Sequence, residues 1–193
     1  LLEDLLLLSR LETTDVGESE QEPVAVPAML AAIEEDARLV SGDSLAVEVE
    51  VEPGLWLTGD AHELRSAFSN LVQNAVRYTG PGGRVRILWR REGEEAVFRV
   101  EDNGIGIAPQ HLPRLTERFY RVDVGRSRQG GGTGLGLAIV KHVLSRHEAR
   151  LRIDSEPGEG SIFTCAFPAS RVTRRDQGEE PAGEVPVPLV SAR

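Results

Sequence analysis

The sequence predicts an α+β fold, with helices laid on one face of a mixed, mostly antiparallel sheet. Three observations lead there. Helical and strand patterns are interspersed along the chain. Adjacent strand patterns are joined by hairpin chemistry, as at Glu92-Gly93-Glu94 and Pro157-Gly158-Glu159-Gly160, and short connections of this kind join antiparallel neighbours. Hydrophobic residues make up 40% of the 193, enough for a core and against global disorder.

The elements follow in order. Residues 1–12, LLEDLLLLSRLE, are helical in composition but too short for a stable solitary helix. Leu1, Leu5 and Leu8 share one face, as do Leu2 and Leu6. Two readings stand: a helix packed on its own domain, or, preferred, the tail of a longer interface helix. Residues 13–23 are polar and acidic and read as a linker. Pro27 to Val40 reads as a helix, with Pro27 in its first turn and Gly42 past its end. Leu45 to Val51 alternates apolar and acidic residues, a half-buried strand, and Leu55-Trp56-Leu57 is a second, short one. Asp60 and Glu63 have capping-box spacing for a helix running to about Tyr78, where Gly80-Pro81-Gly82-Gly83 breaks it. Arg84–Arg90 and Ala96–Glu101 form a strand hairpin. Pro109 to Glu117 is a short helix, residues 121–132 an Arg- and Gly-rich mobile loop, and Thr133 to His147 an apolar helix. Leu151–Asp154 and Ser161–Phe167 are the last strands, and 169–193 is expected to be a disordered tail.

Composition narrows the function. Lys and Arg total 22 against 31 Asp and Glu, a net charge of −9. That balance argues against non-specific nucleic-acid binding. An anionic ligand must then be met by a metal, backbone N–H groups or a local Arg cluster. The single Cys165 excludes an internal disulfide and a Cys-based zinc site. No run of 18 apolar residues spans a membrane. The chain opens Leu1-Leu2, without an initiator Met or signal peptide, and is expected to be a piece of a longer protein.

Three motifs carry chemistry. Asn70 and Asn74 share a helix face that Arg77 and Tyr78 continue, while Leu64, Phe68, Leu71, Val72 and Ala75 form a separate apolar face. Asn is a mediocre helix former, so the pair is either a solvated polar face or carboxamide oxygens for a hard cation, with Arg77 facing a phosphate. Asp102-Asn103-Gly104-Ile105-Gly106 ends a strand; a carboxylate there accepts from an amino group, although alone the pattern is also that of a tight turn. Gly130 to Leu137 (GGGTGLGL) runs straight into a helix, as a phosphate cradle does. Neither a dinucleotide-binding fingerprint nor a P-loop fits its spacing.

In this order, the boxes HELRSAFSNLVQNAVRYTG, VEDNGIGIAP, RFYRVD and GGGTGLGLAIVKH resemble the ATP-binding domain of sensor histidine kinases, over roughly residues 24–168. LTERFYRVD, VKHVLSRH and GEGSIFTCAFP look most like the phosphate-regulon sensor kinases of proteobacteria. The resemblance implies a two-layer α/β sandwich of the histidine-kinase-like ATPase (Bergerat) type, binding ATP and Mg²⁺. It makes residues 1–12 the end of a dimerisation-hairpin helix, 13–23 a linker and 24–168 the catalytic domain. By the same resemblance Asn74 is the Mg²⁺ ligand and Asn70 lies beside the triphosphate. Arg77 and Tyr78 contact phosphate and sugar, and Asp102 receives the adenine amino group. Gly104, Gly106, Gly132, Gly134 and Gly136, with Thr133 and Leu135 between them, shape the nucleotide pocket. Phe119 and Arg121 belong to an aromatic box, Arg121 and Arg126 are candidates for the γ-phosphate, and Thr164 reaches adenine through water. The implied reaction moves the γ-phosphoryl group to a His on a dimerisation hairpin absent from this chain. The implied partners are that hairpin and a response-regulator receiver domain, with no nucleic acid. The full-length protein would be a homodimer anchored in the bacterial inner membrane, with this domain in the cytoplasm.

His62 opens a look-alike of the family's phospho-acceptor box, but Ala67 stands where that box has Pro, and the box belongs upstream of the hairpin end. His111, His142 and His147 read as surface or packing residues and Lys141 as a solvated one. ATP-hydrolysing members of the wider superfamily place Glu four residues before the metal-binding Asn, as a general base; here that position is Asn70, which cannot take a proton. Anti-sigma serine kinases lack the preceding hairpin that LLLLSRLE suggests. A non-catalytic nucleotide-sensing module remains the further alternative.

Overall fold

The structure is a computed structural model that describes residues 2–13, 21–122 and 132–174. In chain order its elements are α1 (Leu2–Thr13), β1 (Glu22–Val24), α2 (Val26–Ser41), β2 (Ala46–Val51), β3 (Leu55–Gly59), α3 (Ala61–Tyr78), β4 (Arg84–Glu92), β5 (Glu95–Asp102), α4 (Gly136–Arg146), β6 (Arg150–Glu156), β7 (Gly160–Phe167) and β8 (Val172–Arg174). Pro109–Arg114 is a 3₁₀ turn. The polar linker over 14–20, the loop residues 123–131 and the tail from 175 onward lie outside the described residues.

Five strands form the main sheet in the order β2-β4-β5-β7-β6. β2 pairs parallel with β4, and the other neighbours are antiparallel. Period-2 alternation sends Val85, Ile87 and Trp89 of β4, Ala96, Phe98 and Val100 of β5, and Phe163, Cys165 and Phe167 of β7 to one buried face. α3 lays Leu64, Phe68, Leu71, Val72 and Ala75 on that face, all buried, as its apolar stripe predicts. The Phe68 ring stacks on Phe98 with centroids 4.0 Å apart and meets Phe167 edge-on. The Trp89 indole N–H donates to the Leu55 carbonyl at 2.9 Å, so the one polar atom of this large side chain is satisfied. Each such aromatic contributes about 1.5–3 kcal/mol through burial. The expected mixed, mostly antiparallel sheet with a helical layer is therefore what forms.

Several boundaries differ from the sequence reading. Glu22–Val24, whose first two residues fall in the expected linker, is a strand, and Val172–Arg174, expected in the tail, is another; both flank β3 in a second, three-stranded antiparallel sheet. Three-residue strands carry no usable periodicity, and pairing with β3 is what forms them. α4 begins at Gly136 rather than Thr133, because Gly134 takes a left-handed φ of 72° that a helix cannot contain. α1 packs against α4. Its buried stripe is Leu8 and Leu11, while Leu2, Leu5 and Leu6 are exposed, so Leu5 does not share the buried face expected with Leu8.

Candidate ATP site

Asp60 caps α3 by accepting the backbone N–H groups of His62 and Glu63. With the apolar stripe of α3 against the sheet, its polar stripe is turned outward, and Asn70, Gln73, Asn74, Arg77 and Tyr78 line one side of a cavity of about 440 Å³. The Asn70 amide donates to the Ser66 carbonyl at 2.9 Å, which fixes the carboxamide and presents Oδ1 to the start of α4. There the approach is close enough that a Cβ on Gly136 would stand 2.4 Å from that oxygen. Any larger residue at 136 would push the carboxamide aside.

The second wall is the end of β5 and the loop after it. Asp102 accepts the Gly104 N–H at 2.9 Å. Burial pushes its carboxyl up from the ordinary range, opposed by backbone hydrogen bonds from Gly104 and Ser161. The loop is tied down at both ends: Ile105 N–H donates to the Tyr78 carbonyl, and Ile107 N–H to Ser155 Oγ at 2.8 Å. Ile107, Leu115, Leu137 and Phe163 supply the apolar lining between these polar groups.

The third wall is the glycine run. Gly132, Thr133, Gly134 and Gly136 line the cavity and lead into α4, whose first-turn N–H groups have no partner within the helix. Gly134 also carries the contact to the aromatic box: Phe119 N–H donates to its carbonyl at 2.8 Å, and a Cβ on Gly134 would stand 2.8 Å from the Phe119 backbone. Phe119 itself has a φ of 62°, a conformation that non-glycine residues seldom adopt. Beside it the Tyr120 hydroxyl is 2.7 Å from His111 Nδ1, and the Arg114 guanidinium lies 4.3 Å above the Tyr120 ring. Arg121 lines the cavity next in sequence.

Thus Asn70, Asn74, Arg77, Tyr78, Asp102, Gly106, Arg121, Gly132, Thr133, Gly134 and Gly136 come together around one cavity. Four of the expected residues do not line it. Gly104 is packed under the Tyr78 carbonyl, and Leu135 is fully buried below the glycine run. Phe119 is exposed beside the opening. Thr164 is a correction: it alternates with the inward-facing Phe163 and Cys165, so it lies on the opposite face of the sheet, where the Arg99 Nε donates to it at 3.3 Å. Ser161, which shares the parity of Phe163 and sits opposite Asp102, lines the cavity instead. Arg126 lies outside the described residues. The sequence reading also missed Gln73, legible one turn from Asn70 and Arg77, and Asp4, which reaches the cavity from α1 and accepts from the Thr133 hydroxyl at 3.3 Å. No local signal marks Asp4, because docking of α1 alone brings it there.

Residues 59–171 match the family of histidine kinase-, DNA gyrase B- and HSP90-like ATPases, and the chain belongs to that family. ATP is the nucleotide of this fold. The chain is 54% identical over 178 residues, 92% of its length, to the phosphate regulon sensor protein PhoR of Pseudomonas aeruginosa. It is 37% identical over 179 residues, 93% of its length, to the protein of the same name in Haemophilus influenzae. It spans 40% and 42% of the length of these two relatives. The solved mycobacterial sensor histidine kinase MprB matches with a TM-score of 0.67 and 32% identity, over 77% of this chain and 97% of that one.

Proposed function

We propose that this chain is the ATP-binding catalytic domain of a phosphate-regulon-type sensor histidine kinase. It transfers the γ-phosphoryl group of Mg²⁺-ATP to a His of a dimerisation hairpin, whose last turns are α1. In the assembled protein a receiver domain takes the phosphoryl group onward, and the whole is a membrane-anchored homodimer with this domain on the cytoplasmic side. Among the described residues no helix is long and apolar enough to cross a membrane.

The observation that carries this reading is Asn70. Its carboxamide is held by Ser66 beside the glycine run and has no basic site with which to take a proton from water. Among the described lining residues the carboxylates are Asp4 and Asp102. Asp102 sits at the sheet end and serves adenine: its ionised form accepts the exocyclic amino group, and Ser161 supports the same edge. Asp4 comes from α1 and accepts from the Thr133 hydroxyl; with a carboxamide and not a carboxylate at position 70, the site suits transfer to an incoming nucleophile better than hydrolysis.

The chain's residues then do the positioning that phosphoryl transfer requires. Tyr78 and Arg77 take sugar and phosphate at the rim. The backbone N–H groups of the glycines from Gly132 to Gly136 and of the first turn of α4 take phosphate oxygens, while the Leu135 N–H is held by the Thr133 hydroxyl. The donor set fits Mg²⁺: Asn74 would hold the ion through its hard carboxamide oxygen, with Asn70 on the same helix face beside the triphosphate. No cluster of His, Cys, Asp or Glu among the described residues competes for a metal. When bound there, the ion would supply neutralisation of developing phosphate charge. Arg121 and Arg126 bring positive charge to the γ-phosphoryl group as its bond to the β-phosphate oxygen breaks and a bond to the His nitrogen forms.

The test supplies the hairpin separately with γ-labelled ATP. Label is expected on the added hairpin, and Asn74→Ala is expected to weaken ATP binding about tenfold with Mg²⁺ but little in EDTA, measured by calorimetry. Release of free phosphate without hairpin labelling would make the chain a hydrolase.

A further inference from the structure

Apart from the Cys165 thiol, the buried ionisable side chains among the described residues meet at one place, outside the cavity lining. Glu63, in the first turn of α3, places both carboxylate oxygens 3.0 Å from Nε of Arg146, in the last turn of α4. The two side chains are only 11% and 8% exposed. His147 follows, 1% exposed. Its Nε2 accepts the Asp60 N–H at 3.1 Å, so Nδ1 carries the proton and donates to the Val143 carbonyl at 2.8 Å. The start of α3 is thus tied to the end of α4 by a buried ion pair and by a hydrogen bond at the cap.

Cohesion alone does not call for this chemistry. A buried ion pair loses most of its attraction to desolvation, and apolar side chains of similar volume hold helices together at least as well. An ion pair does specify register, because carboxylate and guanidinium are both satisfied in only one alignment of the two helices. Two turns further along α3 stands Asn70, and the opposite end of α4 carries Gly136; the two approach so closely that a single Cβ would collide with the carboxamide oxygen. We propose that Glu63, Arg146 and His147 are positioning residues: they fix the axial register of α4 against α3, and through it the placement of the Asn70 carboxamide against the glycine run. The proposal rests on the reading of this cavity as the Mg²⁺-ATP site.

The geometry separates the two ends of the nucleotide. Asp102 and Ser161 lie on the sheet, outside the α3–α4 pair, so a slip of register disturbs phosphate contacts and spares adenine. The test compares Glu63→Leu/Arg146→Met, which replaces the ion pair by apolar volume, and Arg146→Lys, which keeps the charge but loses the planar fork. Binding of Mg²⁺-ATP and of adenosine is measured by calorimetry, and folding by thermal melting. In the double variant the melting temperature and adenosine affinity are expected to hold while Mg²⁺-ATP affinity falls about tenfold; Arg146→Lys falls in between. Unchanged Mg²⁺-ATP affinity in a folded double variant would reduce the clasp to a packing feature, as would equal loss for both ligands. Should the double variant not fold, Arg146→Lys carries the same comparison. A parent protein that binds no Mg²⁺-ATP would remove the nucleotide reading itself, and the clasp's role with it.

Discussion

At Asp102 burial works against the charged form of the side chain. Its folded-state pKa is raised, mainly by burial, so the ionised form is the disfavoured one. The resulting cost is present at neutral pH and fades as pH falls through the carboxylate range. Asp102→Asn keeps an acceptor for the Gly104 N–H while removing the charge. It is expected to leave the melting temperature unchanged or raised, and to weaken ATP binding about tenfold through loss of a charge-assisted hydrogen bond. Calorimetry paired with thermal melting checks both signs; undiminished affinity would remove Asp102 from adenine recognition. At this scale the sequence was legible wherever a single periodic pattern applied. Asn70, Asn74 and Arg77 reach the cavity because helical spacing places them together. Thr164 missed it by one residue, and the signal that corrects it was present: Phe163 faces inward, so Ser161 and not Thr164 shares its side.

Among elements, the cap of α3 is instructive. Asp60 and Glu63 have capping-box spacing, and Asp60 caps as expected. The reciprocal half is replaced: the Asp60 N–H goes to His147 and the Glu63 carboxylate to Arg146. The alternative partners come from the last turn of α4 and the residue after it, more than eighty residues away, so no local pattern reveals them. This joint makes a pH prediction. Burial, foremost, and the nearby Arg171 lower the His147 pKa, while the Val143 carbonyl, Glu63 and Asp60 oppose them without prevailing. A depressed folded-state pKa means that stability from the neutral ring is complete above the unfolded value of 6.5 and is lost as pH falls below it toward the folded value. His142, lowered by burial, Arg118 and Lys141, acts in the same direction. Urea midpoints are therefore expected to drop between about pH 7 and pH 5, with a limiting slope near 1.4 kcal/mol per pH unit for one proton. His147→Gln, which can still accept from Asp60, is expected to flatten part of that slope; an unchanged slope would place the acid sensitivity elsewhere.

For the whole molecule, the expectation is that this chain binds Mg²⁺-ATP without labelling itself. The site residues converge on one cavity, whereas His62, the one look-alike of an acceptor, lies exposed in the first turn of α3 and does not line it. Incubation with γ-labelled ATP followed by acid and base treatment checks this. An acid-labile, base-stable label would mark an internal phosphohistidine and restore His62 as an acceptor. The sequence by itself determined the fold class, the main helices and strands, and most of the cavity's polar groups. Those follow from periodicity, caps and glycine placement, which act over a few neighbouring residues. Only the tertiary structure decided that β1 and β8 exist, that α1 brings Asp4 to Thr133, that Ser161 faces Asp102, and that Glu63 answers to Arg146. Each of these depends on a partner distant in the chain, and a three-residue strand or a lone carboxylate has no conformation or charge state of its own until that partner arrives.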